Sequence, residues 1–137
     1  MDDLDREILD VLRRDARTPY TEIADQLGIS EGTVRNRVTD LEESGVIERF
    51  TVTTRTGNLR AMVEIDVAVD VDTDELAAVL ADWDTVEFVW QVGGEEDIVV
   101  VVDAADTRQL NDLISRARDR EEIVATKSRL ILDERVG

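Results

Sequence analysis

LDREILDVLRRDARTPYTEIADQLGISEGTVRNRVTDLEESGVI, residues 4–47, carries three apolar stripes at helical spacing. Leu4, Ile8, Val11 and Leu12 fall at i, i+4, i+7 and i+8, one face of an amphipathic helix that ends in Arg13 and Arg14, residues suited to a helix C-terminus. Thr21 is placed to cap a short helix, EIADQL, with Ile23, Ala24 and Leu27 turned inward and Gly28 supplying a left-handed stop. Ser30 caps a third helix, EGTVRNRVTDLEES, closed by Gly45. Two helices joined by a short break containing glycine make a helix-turn-helix.

The third helix shows what such a unit is for. Val34, Val38 and Leu41 share one side, so Gly32, Arg35, Asn36, Thr39 and Glu43 occupy the opposite arc, with Thr33, Arg37 and Asp40 on its flank. Small, amide and guanidinium side chains near a helix N-terminus suit a major groove: asparagine pairs with adenine edges, arginine with guanine or phosphate, and glycine permits close approach. On an isolated helix these residues would be an ordinary solvated face. Within a complete tri-helical unit they predict DNA contacts from Gly32, Thr33, Arg35, Asn36, Arg37 and Thr39. Residues 1–50 nevertheless hold seven arginines against thirteen acids, a net of −6. Arg35, Arg37, Arg49 and Arg55 are the candidates for a local positive edge, and affinity is expected from short-range contacts rather than long-range steering.

Composition removes most other functions. The 137 residues are 42 % hydrophobic, enough for one ordinary core or two small ones. No apolar run approaches the ~20 residues of a membrane span, and the acidic start MDDLDRE is unlike a signal peptide, so a soluble cytoplasmic protein is expected. Without cysteine there is no disulfide, thiolate nucleophile or zinc finger; without histidine the commonest general base and metal ligand are gone. No catalytic constellation, metal site or cofactor is expected. The net charge is −17, and the sixteen basic residues are fifteen arginines and Lys127. A folded domain with so acidic a surface is tolerated best where salt screens it, which points to a halophilic, haloarchaeal cytoplasm rather than an acidic mesophile; genome composition is a second explanation for the scarcity of lysine.

From residue 46 the period changes. VIERFTVTT alternates at period 2 and reads as a short strand, followed by a turn at TGN, 56–58. Ala61, Val63, Ile65, Val67 and Val69 define a strand with one buried face. Asp72 and Glu75 form a capping box ahead of Leu76, Val79, Leu80 and Trp83. VEFVWQV (86–92) and IVVVV (98–102) are strands around the glycine turn GGEED; Asp106 and Gln109 open a helix bearing Leu110, Leu113, Ile114 and Ala117; TKSRLIL is a final strand. Shifted by 34 residues, Asp72-Thr73 lands on Asp106-Thr107 and Leu76, Val79 and Leu80 land on Leu110, Leu113 and Ile114. Two interleaved strand-helix-strand units make a ferredoxin-like βαββαβ fold. IVVVV is apolar on both faces while helices cover one, so the open face predicts a homodimer.

The fold class is thus α+β: a winged or tri-helical helix-turn-helix over residues 1–50, a linker strand at 51–60 and a ferredoxin-like domain over 61–137. The chain resembles the Lrp/AsnC (feast/famine) transcription regulators along nearly its whole length, most specifically over residues 4–47, where Arg37-Val38 stands at the family's Arg-Val pair. The resemblance implies sequence-specific binding of double-stranded DNA at a pseudo-palindromic promoter site, a regulator-of-amino-acid-metabolism (RAM) domain, and assembly as a dimer, tetramer or octamer. It also implies a free amino acid as effector near a Gly-x-x-Asp hairpin, here Gly94, Glu95, Glu96 and Asp97, with Thr126 and Ser128 as secondary candidates. Glycine-turn N–H groups suit an α-carboxylate, and the two glutamates, where neutral residues are common, disfavour an acidic ligand and prefer a basic one. A hairpin turn by itself needs no ligand. The chain lacks the proline-containing connection many members carry between their domains. The rival readings are an enzyme, for which no acid-base pair converges, and an amino-acid sensor or architectural protein that coats DNA without reading sequence.

Overall fold

The computed structural model describes residues 1–137, which divide into two compact units, Met1–Thr54 and Arg55–Gly137.

In the first unit, α1 (Asp3–Arg14) opens with a reciprocal capping box: Asp5 N–H donates to the Asp2 carboxylate at 2.9 Å, and Asp2 N–H to that of Asp5 at 3.1 Å. α2 (Tyr20–Leu27) starts one residue before its expected cap. Pro19, with φ −60°, holds the N-cap position, its carbonyl accepts from Glu22 and Ile23 N–H, and Thr21 lies inside the helix with no capping role. Gly28, at φ +67°, ends α2 and lets Ile29 N–H reach the Ala24 carbonyl at 3.0 Å. α3 (Glu31–Glu43) follows at once, Ser30 Oγ accepting from Thr33 N–H at 3.1 Å. Ile8, Leu12, Ile23, Ala24, Val34 and Val38 form the core, and Ile47, tied to the Leu41 carbonyl, packs on its edge.

VIERFTVTT is not a strand. Residues 46–58 contain no strand, Phe50 and Val52 are exposed, and of the expected linker strand only Leu59 and Arg60 lie in a sheet, as the start of β1. The alternation is real, but a strand is held by ladder hydrogen bonds, and the first unit offers no second strand to pair with.

The second unit runs β1 (Leu59–Val67), α4 (Thr73–Ala81), β2 (Val86–Gln91), β3 (Ile98–Ala104), α5 (Thr107–Arg118) and β4 (Ile123–Leu130). The sheet order is β2-β3-β1-β4, with every pairing antiparallel, the ferredoxin-like arrangement. Leu76 and Leu80 of α4 and Leu110, Leu113 and Ala117 of α5 close one core with Ala61, Val63, Ile65, Ile98, Val100 and Val102 of the sheet. The duplicated caps match: Asp72 accepts from Glu75 N–H at 3.2 Å and Asp106 from Gln109 N–H at 2.9 Å. Val69, expected as the last inward position of β1, lies beyond the strand and is exposed beside Asp70, whose φ is +67°. β4 begins three residues earlier than its apolar tail suggested. As an edge strand largely open to solvent, its residues carry little hydrophobic signature.

The face of the sheet away from the helices is apolar over β2 and β3. A bulge between Val86 and Phe88 sets Phe88 against Val101 and Trp90 against Val99. Val99 and Val101 are buried, whereas Phe88 and Trp90, stacked with centroids 5.9 Å apart, are 44 % and 48 % exposed. Glu64 lies on this face as the β1 partner of both Val99 and Lys127, and its Oε2 is buried without a hydrogen bond, with Arg129 Nη2 3.9 Å away.

Candidate nucleic-acid interface and effector region

The fit of α3 against the bundle decides which of its side chains are free. With Val34, Val38 and Leu41 buried, Gly32, Arg35, Asn36 and Thr39 are exposed and Thr33 is partly so, a contiguous face beginning at the helix N-terminus. Thr33 is engaged locally, its hydroxyl 2.8 Å from that of Ser30. Arg35 is held from two sides: Nη2 donates to Glu31 at 2.6 Å, and the guanidinium carbon lies 5.9 Å from the centre of the Tyr20 ring. That packing stiffens a long side chain which would otherwise lose rotamer freedom on contact with a base.

Arg37 is placed differently from the other five candidates. Its Nη1 donates to Asp2 at 2.5 Å and to Asp5 at 3.3 Å, joining α3 to the N-terminus of α1. The Asp2 carboxyl is held down to about 2, first by the hydrogen bond from Arg37, then by Asp5 N–H, with burial opposing; the same two carboxylates raise Arg37. The guanidinium therefore faces the bundle rather than the open arc. Helix spacing alone puts residue 37 on the flank and cannot say which neighbour lies there.

In the second unit the GGEED turn projects from the end of the sheet. Gly94 has φ +124°, Glu95 is exposed and Glu96 partly so. Asp97 is built into the sheet: its carboxylate accepts from Val67 N–H at 2.8 Å and its own N–H donates to the Ile65 carbonyl at 3.1 Å. This fixes the hairpin against β1. Thr126 pairs with Ile65 from the other side of β1 and its hydroxyl accepts from Arg118 Nε at 3.0 Å, while Ser128 is exposed further along β4. The hairpin and Thr126 thus flank the C-terminal end of β1, separated by that strand, while Ser128 pairs with Val63 at its middle.

A cavity of about 300 Å³ lies by the start of α4, lined by Asp70, Asp72, Glu75, Leu76, Arg120 and Glu122 among others. Arg120 donates to Glu122 at 2.9 Å, and the Glu122 carboxyl is lowered first by its own backbone N–H and then by Arg120. Sequence reading treated Asp72 and Glu75 as capping residues only and gave no signal for this hollow, because Asp70 and Glu122 meet there through the β1–β4 pairing. No group of histidine, cysteine or carboxylate side chains has metal-site geometry, and no helix is long and apolar enough to cross a membrane.

Residues 1–48 match a winged helix-turn-helix DNA-binding family model, and residues 60–136 match the Lrp/AsnC ligand binding domain. The chain is 37 % identical to the HTH-type transcriptional regulator LysM of Sulfurisphaera tokodaii over 133 residues, 96 % of this chain and 95 % of that one. It is 40 % identical to the HTH-type transcriptional regulator LrpA of Pyrococcus horikoshii over 118 residues, 84 % of each. Among solved structures, the leucine response regulatory protein LrpA of Mycobacterium tuberculosis superposes with a TM-score of 0.85 at 32 % identity, covering 100 % of this chain and 96 % of that one. AsnC of Escherichia coli superposes with a TM-score of 0.78 at 26 % identity, covering 100 % and 95 %.

Proposed function

This chain belongs to the Lrp/AsnC family of DNA-binding transcriptional regulators, and from that premise we propose which of its residues read DNA, how it assembles and what it senses. Gly32, Thr33, Arg35, Asn36 and Thr39 enter the major groove, with Asn36 on an adenine edge and Arg35 on guanine or phosphate. Arg37 acts from behind, fixing the pose of α3 against α1. The observation that carries this reading is that α3 buries Val34, Val38 and Leu41 and leaves the opposite arc open from its first turn.

Two copies pair through the outer sheet face, where Phe88 and Trp90 stand over Val99 and Val101. A two-fold assembly asks for a pseudo-palindromic site, with half-sites separated by whole turns of about 34–36 Å. The hairpin Gly94–Asp97, with Thr126 and Ser128, takes a free amino acid, and Glu95 and Glu96 favour one with a cationic side chain. Tetramers or octamers built on the dimer place this region near further copies. The acidic surface suits a cytoplasm of high salt. The deciding experiment is selection of bound duplexes from random sequence at about molar potassium chloride, with and without pooled amino acids. A recovered two-fold motif that Asn36→Ala degrades supports the assignment; uniform retention of random duplexes, unaffected by that change, removes sequence readout.

A further inference from the structure

We infer that the corner where α1 gives way to α2 is a second DNA-binding surface, one that grips backbone phosphates beside the groove α3 enters, through Arg17 together with Arg13 and Arg14. The inference rests on the DNA-reading role of α3 proposed above and adds to it contacts that carry no sequence information. Of the positive edge expected at Arg35, Arg37, Arg49 and Arg55, only Arg49 is a free charge of the first unit. Arg35 is matched by Glu31 at 2.6 Å and Arg37 by Asp2 and Asp5, while Arg55 lies in the second unit and donates to the Glu134 carbonyl at 3.1 Å. Arg6 is matched by Asp3 at 3.1 Å. Arg13, Arg14 and Arg17 are exposed and belong to no ion pair. Residues 13–20 hold three arginines and one acid, whereas residues 1–12 hold one arginine against five acids and residues 21–50 three against seven. That one acid, Asp15, is taken up by the backbone: its carboxylate accepts from Arg17 N–H at 2.9 Å, and its carbonyl accepts from the N–H and hydroxyl of Thr18 at 3.1 and 2.7 Å.

The turn runs directly onto the reading face. Tyr20 opens α2 three residues after Arg17, and its ring centre lies 5.9 Å from the guanidinium carbon of Arg35, on the exposed side of α3. In a helix-turn-helix the first of the two helices crosses the phosphate backbone while the second lies in the groove, so the residues entering α2 meet a phosphate strand once α3 is seated. A guanidinium forks onto phosphate oxygens with two parallel hydrogen bonds, and its charge displaces a condensed counterion. Arginines without a carboxylate partner break no ion pair to make that contact, whereas Arg35 and Arg37 must. An acidic unit is repelled by a duplex at long range, and unmatched cations gathered beside the reading helix offset that repulsion where the two surfaces touch. The group recognised is the phosphodiester backbone of the duplex that α3 reads.

The test is fluorescence anisotropy of the full chain on two labelled duplexes, one recovered by selection from random sequence and one of the same bases scrambled, titrated from about 0.1 to about 1 M potassium chloride. Arg17→Gln is expected to make the log-log salt slope shallower by about one per DNA-reading unit and to weaken binding about fourfold per unit at about 0.2 M, by the same factor on both duplexes. The triple variant Arg13→Gln/Arg14→Gln/Arg17→Gln is expected to make the slope shallower by about three per unit. Arg6→Gln, which removes a charge already matched by Asp3, is the control and is expected to keep the parent slope. All four positions are exposed, and circular dichroism at each salt concentration checks the fold. A triple-variant slope that changes by less than about one per unit, or by no more than that of Arg6→Gln, overturns the inference, and α3 reading stands if Asn36→Ala still loses the selected duplex. Weakening confined to the selected duplex also overturns it, by putting these arginines on bases. So does a changed sedimentation coefficient of the free triple variant, which assigns the corner to an acidic surface of a second copy. Equal binding of both duplexes by the parent removes the reading role of α3 itself, and this inference with it.

Discussion

Arg37 shows how far a single position can be read from sequence. Its helical phase sets it beside the buried stripe, but its partners, Asp2 and Asp5, lie more than thirty residues away along the chain and become neighbours only when α1 and α3 pack. The contact has a pH signature. Asp2 has its carboxyl lowered from 3.8 to about 2, so protons bind the unfolded chain more readily than the folded one. The stabilisation is therefore complete above the ordinary carboxylate range and is lost as pH falls from about 4 towards 2. Asp2→Asn keeps an acceptor for the Asp5 N–H but removes the charge. The variant is expected to melt below the parent at pH 6 in low salt, with the gap closing through that acid window; thermal unfolding followed by circular dichroism measures both curves. A gap that stays constant to pH 2 would mean the ion pair contributes nothing to the unit. Arg37→Met is expected to lower the melting temperature in the same sense and, on the proposed role of positioning α3, to weaken binding to all duplexes alike; a loss confined to particular sequences would instead put Arg37 on a base.

At the scale of elements, the three N-terminal helices, the ferredoxin-like order and the 34-residue repeat were all legible, because amphipathic spacing and aspartate caps are local signals. What failed was also local in origin. Period-2 alternation at 46–54 specifies a strand's faces but not its partner, and Thr21 lost its capping role to a proline two residues earlier. The glycines bounding and opening α3 separate fold from function. Gly28 sits at φ +67° with open space around it, so Gly28→Ala meets no clash but forces alanine into the left-handed region, and a loss of about 1 kcal/mol is expected by urea denaturation. Gly32 is helical, and a Cβ there would meet only Ser30 Oγ, at 3.9 Å. Gly32→Ala is expected to stabilise the unit by about 0.5–1 kcal/mol while weakening DNA binding, because the added methyl stands between the helix and the groove. Stabilisation with unchanged affinity would place the DNA contact elsewhere on the surface.

At the scale of the whole molecule, the sequence showed that β3 is apolar on both faces and that Phe88 and Trp90 face opposite to Val89, but not the bulge at Val86–Phe88 that lets both Val86 and Val89 pack on the core. On the proposed pairing, the open side of the sheet separates packing within a subunit from packing between subunits. Leu80, fully buried between α4 and the sheet, belongs to the first kind, and Leu80→Ala is expected to cost about 2–5 kcal/mol of folding stability in any oligomeric state. Trp90 is assigned to the second by the proposed pairing. It is nearly half exposed on one copy and contributes nothing to the helix-covered core, so Trp90→Glu should leave the fold of the single chain close to intact. Should two copies bury this ring, a central aromatic of this kind contributes about 2 kcal/mol or more, and the charged variant is expected to dissociate at concentrations about thirtyfold higher than the parent, or more. Sedimentation velocity across a dilution series reads that shift directly. DNA affinity should fall with it, because two linked heads on a two-fold site bind through effective concentration and a single head does not. An unchanged sedimentation coefficient for Trp90→Glu at every concentration would assign self-association, and the spacing of the half-sites with it, to some other surface of the chain.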